Sequence, residues 1–308
     1  MTINFRYFEP STIGEACQLV SKYKDKAKIL AGGTDLIIQM KRKTVNLKYL
    51  VNIKKIPNID HIIYENDILR IGALVTHKKL IDSAIIQKNF NILREACLAI
   101  GTVQIRNIGT LVGNICNASP SGDTIPPLIA LGAKVKCVSL GGERAVLLED
   151  FITGPFQTLL RFDEVVVEVE IPPIPSNEQS VYAGCYAWVP KITATDETLV
   201  GVAVFLEIDQ EMHTISQARI ALGSVAPTPL RAKEAEKFLL GKKIDLNLFD
   251  EGSKIASKEI APRSRVEYRY QLCKILTENS LKLATERALK GLNDYEKTDK
   301  NRDKREII

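Results

Sequence analysis

Apolar residues recur with a helical period from Thr12 to Lys24, and the short run Ala27 to Leu30 behind them reads as a strand. Tyr49 to Ile53 and Leu69 to Ile71 read as two further strands. Thr76 opens a helical stretch to about Ile86, Asn91 to Ala99 gives another, and Ala133 to Ser139 and Glu164 to Ile171 alternate as strands. Pro172-Pro173-Ile174-Pro175-Ser176-Asn177 then sets three prolines among polar residues, which sustains neither helix nor sheet. Beyond it, Leu199 to Ile208 and Thr214 to Leu222 predict an antiparallel pair. Amphipathic helices follow, starting near Ala232, Asp250 and Val266. The pattern predicts an α+β protein with a first domain over 1–175, a smaller second domain over 176–285 and a charged tail over 286–308, apolar-poor from Glu296 and expected to fray.

Composition narrows the reading only a little. The 308 residues are 45% hydrophobic and 26% charged, an ordinary globular mixture. The net charge of +5 is spread along the chain, so no basic stripe points to nucleic acid. Apolar runs such as Leu199 to Leu206 fall far short of a membrane span, and Arg6 and Glu9 interrupt any secretory signal. A soluble, cytoplasmic protein is expected. The six cysteines lie far apart, outside the C-x-x-C spacing of a zinc or iron–sulfur site, and read as small buried hydrophobes.

Candidate chemistry concentrates in two glycine-containing segments. In Ile29-Leu30-Ala31-Gly32-Gly33-Thr34-Asp35-Leu36 a strand runs into two glycines and a capping Thr/Asp pair. Such a turn can aim successive N–H groups at a pyrophosphate, with Thr34 as a further donor, or it can be a plain strand-to-helix turn. The second segment runs from Gly101 through Gly109-Thr110-Leu111-Val112-Gly113-Asn114 to Ser119 and Asp123. Its small polar side chains would let a phosphate and sugar approach the backbone, with Thr110, Asn114 and Ser119 as neutral donors and Asp123 accepting from ribose hydroxyls. An irregular space-filling loop is the other reading. Neither a P-loop nor a G-x-G-x-x-G fingerprint is present.

Other residues have plainer readings. His61, His77 and His213 are isolated, and His77, next to Thr76 at a helix start, reads as a surface residue. Arg106 orients the second segment, binds phosphate or makes a helix-to-loop salt bridge. Glu149 and Asp150 read as a solvated turn and Cys116 as packing.

The first glycine segment, the run Gln104 to Pro120 and the run Ala218-Arg219-Ile220-Ala221-Leu222-Gly223-Ser224-Val225-Ala226-Pro227-Thr228-Pro229-Leu230-Arg231 together closely resemble the FAD-binding subunit of molybdenum hydroxylases of the xanthine and carbon monoxide dehydrogenase type. The resemblance extends from about Phe5 to Ala284. It implies a two-lobed FAD-binding domain of the vanillyl-alcohol-oxidase (PCMH) type, followed by a small C-terminal domain of antiparallel sheet and helices. It further implies that Ile29 to Leu36 and Gly109 to Asn114 grip the pyrophosphate of a non-covalent FAD and that Asp123 contacts the adenosine half. Gly101 would then lie beside the flavin, and the backbone of Val166 would meet its ring. Many relatives carry a lysine near the flavin where this chain has Trp188, a core aromatic or a flavin stack, and a cysteine-rich insertion of one relative is absent.

The resemblance also implies an electron-transfer role without catalytic side chains in this chain. Partners would be a large molybdopterin-binding subunit and a small subunit with [2Fe–2S] clusters, two copies of each of three subunits, with NAD or another electron acceptor. A stand-alone flavin oxidase of the same fold is the alternative.

Overall fold

Thr12 and Glu15 start the first helix, Ile13–Tyr23: the Thr12 hydroxyl accepts from Glu15 N–H at 3.1 Å, and Ser11 N–H donates to the Glu15 carboxylate at 2.7 Å. This helix buries Ala16, Cys17 and Val20. Beside it three parallel strands, β1 (Arg6–Phe8), β2 (Ala27–Leu30) and β3 (Tyr49–Asn52), lie in the order β1-β3-β2. The computed structural model describes residues 4–174, 179–193 and 195–290. The first lobe therefore carries the helix and strands that the sequence pattern predicts there.

The second lobe is a five-stranded antiparallel sheet. Its strands are β4 (Ile62–Glu65), β5 (Ile68–Gly72), β6 (Lys134–Ser139) and β7 (Gly142–Leu147), and, after the small pair β8 (Ile152–Gly154) and β9 (Gln157–Thr158), β10 (Val165–Ile171). The order β4-β5-β10-β6-β7 puts the last strand at the centre. The single helix expected from Thr76 to Ile86 is two, His77–Asp82 and Ala84–Asn89, because Ser83 takes an extended conformation and caps the second through Ile86 N–H. The segment read as a possible irregular loop folds into the short helices Val103–Ile108 and Leu111–Asn117, with Ile125–Ala130 close behind. Thr102 and Thr110 cap the first two.

At the start of β10, Glu164 is buried and receives two hydrogen bonds from the Arg144 guanidinium, at 2.6 and 2.8 Å, and one from Arg161 N–H at 2.8 Å. These bonds, that from Arg144 foremost, hold its carboxyl below the ordinary 4.5. A depressed folded value stabilises above the ordinary pKa and ceases to do so as pH falls through the folded one. Glu164→Gln should cost about 1–3 kcal/mol at pH 7, the range for loss of charged hydrogen bonds. Urea unfolding of both proteins across pH should show the difference shrinking below about pH 4.5; a constant difference would mean that packing, not charge, is at stake.

The second sheet contains β11 (Ser180–Pro190), β12 (Thr198–Asp209), β13 (Thr214–Gly223) and β14 (Leu230–Arg231), all antiparallel in that order. Helices Lys233–Leu239, Leu246–Lys258 and Val266–Lys290 follow. From Thr198 to Ile208 every residue of β12 is buried, since Ala203 and Phe205 join the core of the first domain while Val202, Val204 and Leu206 join that of the C-terminal helices. A strand covered on both faces is continuously apolar, hence the run at Leu199. The last helix extends to Lys290, into the stretch read as a tail; residues 291–308 of that reading, and 175–178 of the proline stretch, lie outside the described residues.

Polar contacts tie the two domains. Glu149 is no solvated turn: its carboxylate meets Lys233 at 2.6 Å and Arg231 at 3.8 Å, both from the second domain. Glu95 pairs with Arg287 of the last helix and accepts the N–H of Tyr186 on β11 at 2.8 Å, while Arg287 also donates to Gly184 O at 3.0 Å.

Candidate functional site

A cleft of about 1400 Å³ runs between the two lobes of the first domain, edged by Asp196 and Glu197 of the second. The residues expected to bind a cofactor line it, with the exceptions of Leu30, Leu111 and Trp188. Leu30 belongs to a small core with Met40, Leu47 and Leu50, and Leu111 is fully buried beneath its helix. Trp188 lies on β11 opposite Gly201, stacked on Tyr186 at 5.9 Å and packed against the core of the first domain. Its place is that of a core aromatic.

The two glycine segments touch. A Cβ on Gly32 would stand 2.3 Å from Ile108 O and 2.9 Å from Gly109 Cα, so only glycine permits this approach. Gly33, at φ +77°, turns the chain from β2 into the helix Leu36–Lys41, whose Gln39 donates to Asn117 across the cleft at 3.1 Å. Asp35 is exposed and makes no capping bond; Thr34 donates to it at 3.4 Å.

In the second segment the side-chain roles are divided. The Thr110 oxygen accepts Gly113 N–H at 3.0 Å, and Asn114 Oδ1 accepts the Thr124 hydroxyl at 2.9 Å, which leaves the Asn114 amide nitrogen as the donor. Arg106 orients the segment, donating to Ile100 O at 2.8 Å and Gly101 O at 2.9 Å. Gly101 thus holds a φ of +35° beside the cleft, and Val166 enters it from β10 at a bulge.

Asp123 is buried at the far wall, and its Oδ1 accepts from the hydroxyls of Tyr186 at 2.8 Å and Thr198 at 2.5 Å. Burial raises its pKa, with the two hydroxyls opposing. Burial also lifts Tyr186 well above 10, so the phenol stays a donor. The second domain thereby supplies the partners that hold one oxygen of a cleft carboxylate.

Two features escaped the sequence pattern. His77 is not on the surface: it is 2% exposed and lies in the cleft wall, and burial, with Arg106 nearby, lowers its pKa to about 4. Only the pairing of its segment with that of Gly109 brings it there. Phe156, at the tip of the β8–β9 turn with φ +60°, and Phe162, under the Lys24 ammonium at 5.1 Å, form an exposed aromatic rim. Cys116 lines the cleft, but burial pushes its thiol to about 12, so it is inert packing.

A floor where backbone meets backbone, neutral donors along it and a buried acceptor at one end fit an extended dinucleotide such as FAD. Among the described residues no helix is long and apolar enough to cross a membrane.

Comparison with known proteins agrees with the geometry. Residues 3–174 match the family described as "FAD binding domain in molybdopterin dehydrogenase", and 189–284 match "CO dehydrogenase flavoprotein C-terminal domain". The chain is 32% identical over 277 residues to the xanthine dehydrogenase FAD-binding subunit of Escherichia coli O157:H7, covering 88% of this chain and 93% of that one. It is 34% identical over 238 residues to the carbon monoxide dehydrogenase medium chain of Hydrogenophaga pseudoflava, covering 77% and 80%. The solved carbon monoxide dehydrogenase from that organism, described as lacking the Mo-pyranopterin moiety of its cofactor, superimposes with a TM-score of 0.87 at 32% identity over 94% of this chain and 99% of that one. Quinoline 2-oxidoreductase from Pseudomonas putida 86 gives 0.85 at 29% identity over 94% and 99%.

Proposed function

Since this chain belongs to the family of FAD-binding subunits of molybdopterin dehydrogenases, we propose that it is the electron-transfer subunit of a cytoplasmic molybdenum hydroxylase complex. The partners in this reading are a large subunit with the molybdenum cofactor and a small one with [2Fe–2S] clusters, assembled as a dimer of heterotrimers. NAD or another acceptor takes the electrons. The observation that carries it is the contact of Gly32 with Ile108 and Gly109, which joins two separate segments into one backbone floor.

Ala31 to Asp35 and Gly109 to Asn114 would hold the diphosphate of a non-covalent FAD, and Asp123 the adenosine half. Bound FAD supplies a group that accepts electrons singly and releases them as a hydride pair. The chain's own part is positional. Gly32 and Gly33 bring the backbone close, Arg106 fixes Gly101, and Tyr186 and Thr198 hold Asp123 Oδ1 so that its other oxygen is left for the ligand. Val166 and Ile105 give the adjoining cleft an apolar lining.

The test uses the purified full-length chain. It should bind one FAD that passes a filter after denaturation. That flavin should stay oxidised with purines, aromatic heterocycles or aldehydes and be reduced once the cluster and molybdenum subunits are added. Efficient reduction by an organic substrate in the isolated chain would replace this reading with a stand-alone oxidase, and a folded chain that ignores FAD would end it.

A further inference from the structure

His77 is held in place by the segment it faces. Its backbone N–H donates to Gly109 O at 3.0 Å, Leu111 N–H donates to Val75 O at 3.1 Å, and Thr76 bridges Thr110, so residues 75–77 and 109–111 run as a short antiparallel ladder. The imidazole lies against Gly109: a Cβ there would come within 3.2 Å of Cδ2 and 3.5 Å of Nε2. Its Nδ1 faces the Cys97 sulfur at 3.9 Å. Nε2 has no hydrogen-bond partner among the described residues, although the side chain is almost wholly buried and forms part of the cleft wall.

The ring's state follows from these neighbours. Cys97 is fully buried, and burial drives its pKa far up, so the sulfur keeps its hydrogen and can offer it, weakly, to Nδ1. Burial and the Arg106 charge keep the imidazole neutral above about pH 4. A neutral imidazole accepting at Nδ1 carries its hydrogen on Nε2. Nε2 is not sealed away with the buried unpartnered atoms, so the cleft is the side from which it takes a partner.

We propose that His77 is a ligand-contacting residue of this cleft, its Nε2–H donating to an oxygen acceptor, phosphoryl or ring carbonyl, of the bound dinucleotide. The proposal rests on the FAD reading above. The same packing constrains position 109, where a Cβ would stand 3.0 Å from Ile105 O and 3.2 Å from the imidazole.

The experiment compares FAD dissociation constants of the wild-type chain with His77→Leu and His77→Gln, together with their urea midpoints. Glutamine keeps an N–H donor at a similar reach. His77→Leu should weaken FAD binding about tenfold and His77→Gln no more than about threefold, as expected for loss and retention of one hydrogen bond. ADP as competitor separates the two sources of the oxygen. If ADP weakens with FAD in His77→Leu, the acceptor is phosphoryl; if ADP is unaffected and the visible flavin band shifts, it is the ring carbonyl. Wild-type affinity in His77→Leu would overturn the proposal, and so would equal losses in both variants that track their urea midpoints. Failure of the wild-type chain to bind FAD would overturn the functional reading instead.

Discussion

Gly32→Ala is expected to yield a colourless protein. The new methyl would stand 2.3 Å from a backbone carbonyl oxygen and 2.9 Å from Gly109 Cα, and neither can rotate aside as a side chain could. The two segments must separate, which costs about 1–3 kcal/mol of overpacking strain, and a diphosphate held as proposed would lose the floor on which both segments converge. Gly33→Asp should lose flavin as well: its backbone sits at φ +77°, and the added carboxylate repels the diphosphate. Gly14→Ala is the control. Its Cβ would meet nothing nearer than 3.9 Å, inside the helix Ile13–Tyr23, where alanine should add about 0.5–1 kcal/mol. Flavin absorbance per polypeptide and thermal melts distinguish the three. Full flavin content in Gly32→Ala would mean that the contact between the segments is incidental to binding.

The second large effect belongs to the joint between the domains. Glu95→Ala removes the carboxylate that faces Arg287, whose side chain is only 7% exposed, and that accepts Tyr186 N–H. Truncating one partner of a buried pair costs about 3–5 kcal/mol, mostly through the charge left behind. Replacing both residues with apolar ones should recover much of the loss. A double-mutant cycle read by urea unfolding checks this, and a loss under 1 kcal/mol would show that water reaches the guanidinium freely. Tyr186 also holds Asp123, so flavin affinity should fall along with stability.

The elements that were legible in the sequence are those whose own pattern decides them. The helix from Ile13 has its cap and period in one local stretch, and β12 declares itself by a run that only double-sided burial explains. The helices around Gly109 were not legible as helices, because each is one to two turns long and is held by threonine caps and the ladder to residues 75–77 rather than by periodicity. For the same reason His77 looked superficial: position next to a helix cap says nothing of what covers it. Glu149 and Glu95 gave no local sign of pairing, since their partners lie in the second domain. Both glycine segments stand out in the sequence, while their mutual contact, which brings two turns into one cleft wall, is a tertiary fact.

The place of β10 at the centre of the five-stranded sheet bears on how the chain is made. Its neighbours β5 and β6 each form a hairpin with β4 or β7 from nearby residues, so two half-sheets can arise early, each with an open edge. Only residues 165–171 can join them, and they emerge from the ribosome after the other four strands of this sheet. Until then both edges invite pairing with another chain, and closure across such a sequence separation is intrinsically slow. Any fragment that stops before Ile171 should therefore aggregate rather than fold. Val166 arrives with the same strand, so the cleft wall is complete only when the sheet is, and free flavin during synthesis should raise the yield of folded chain by drawing off the closed form.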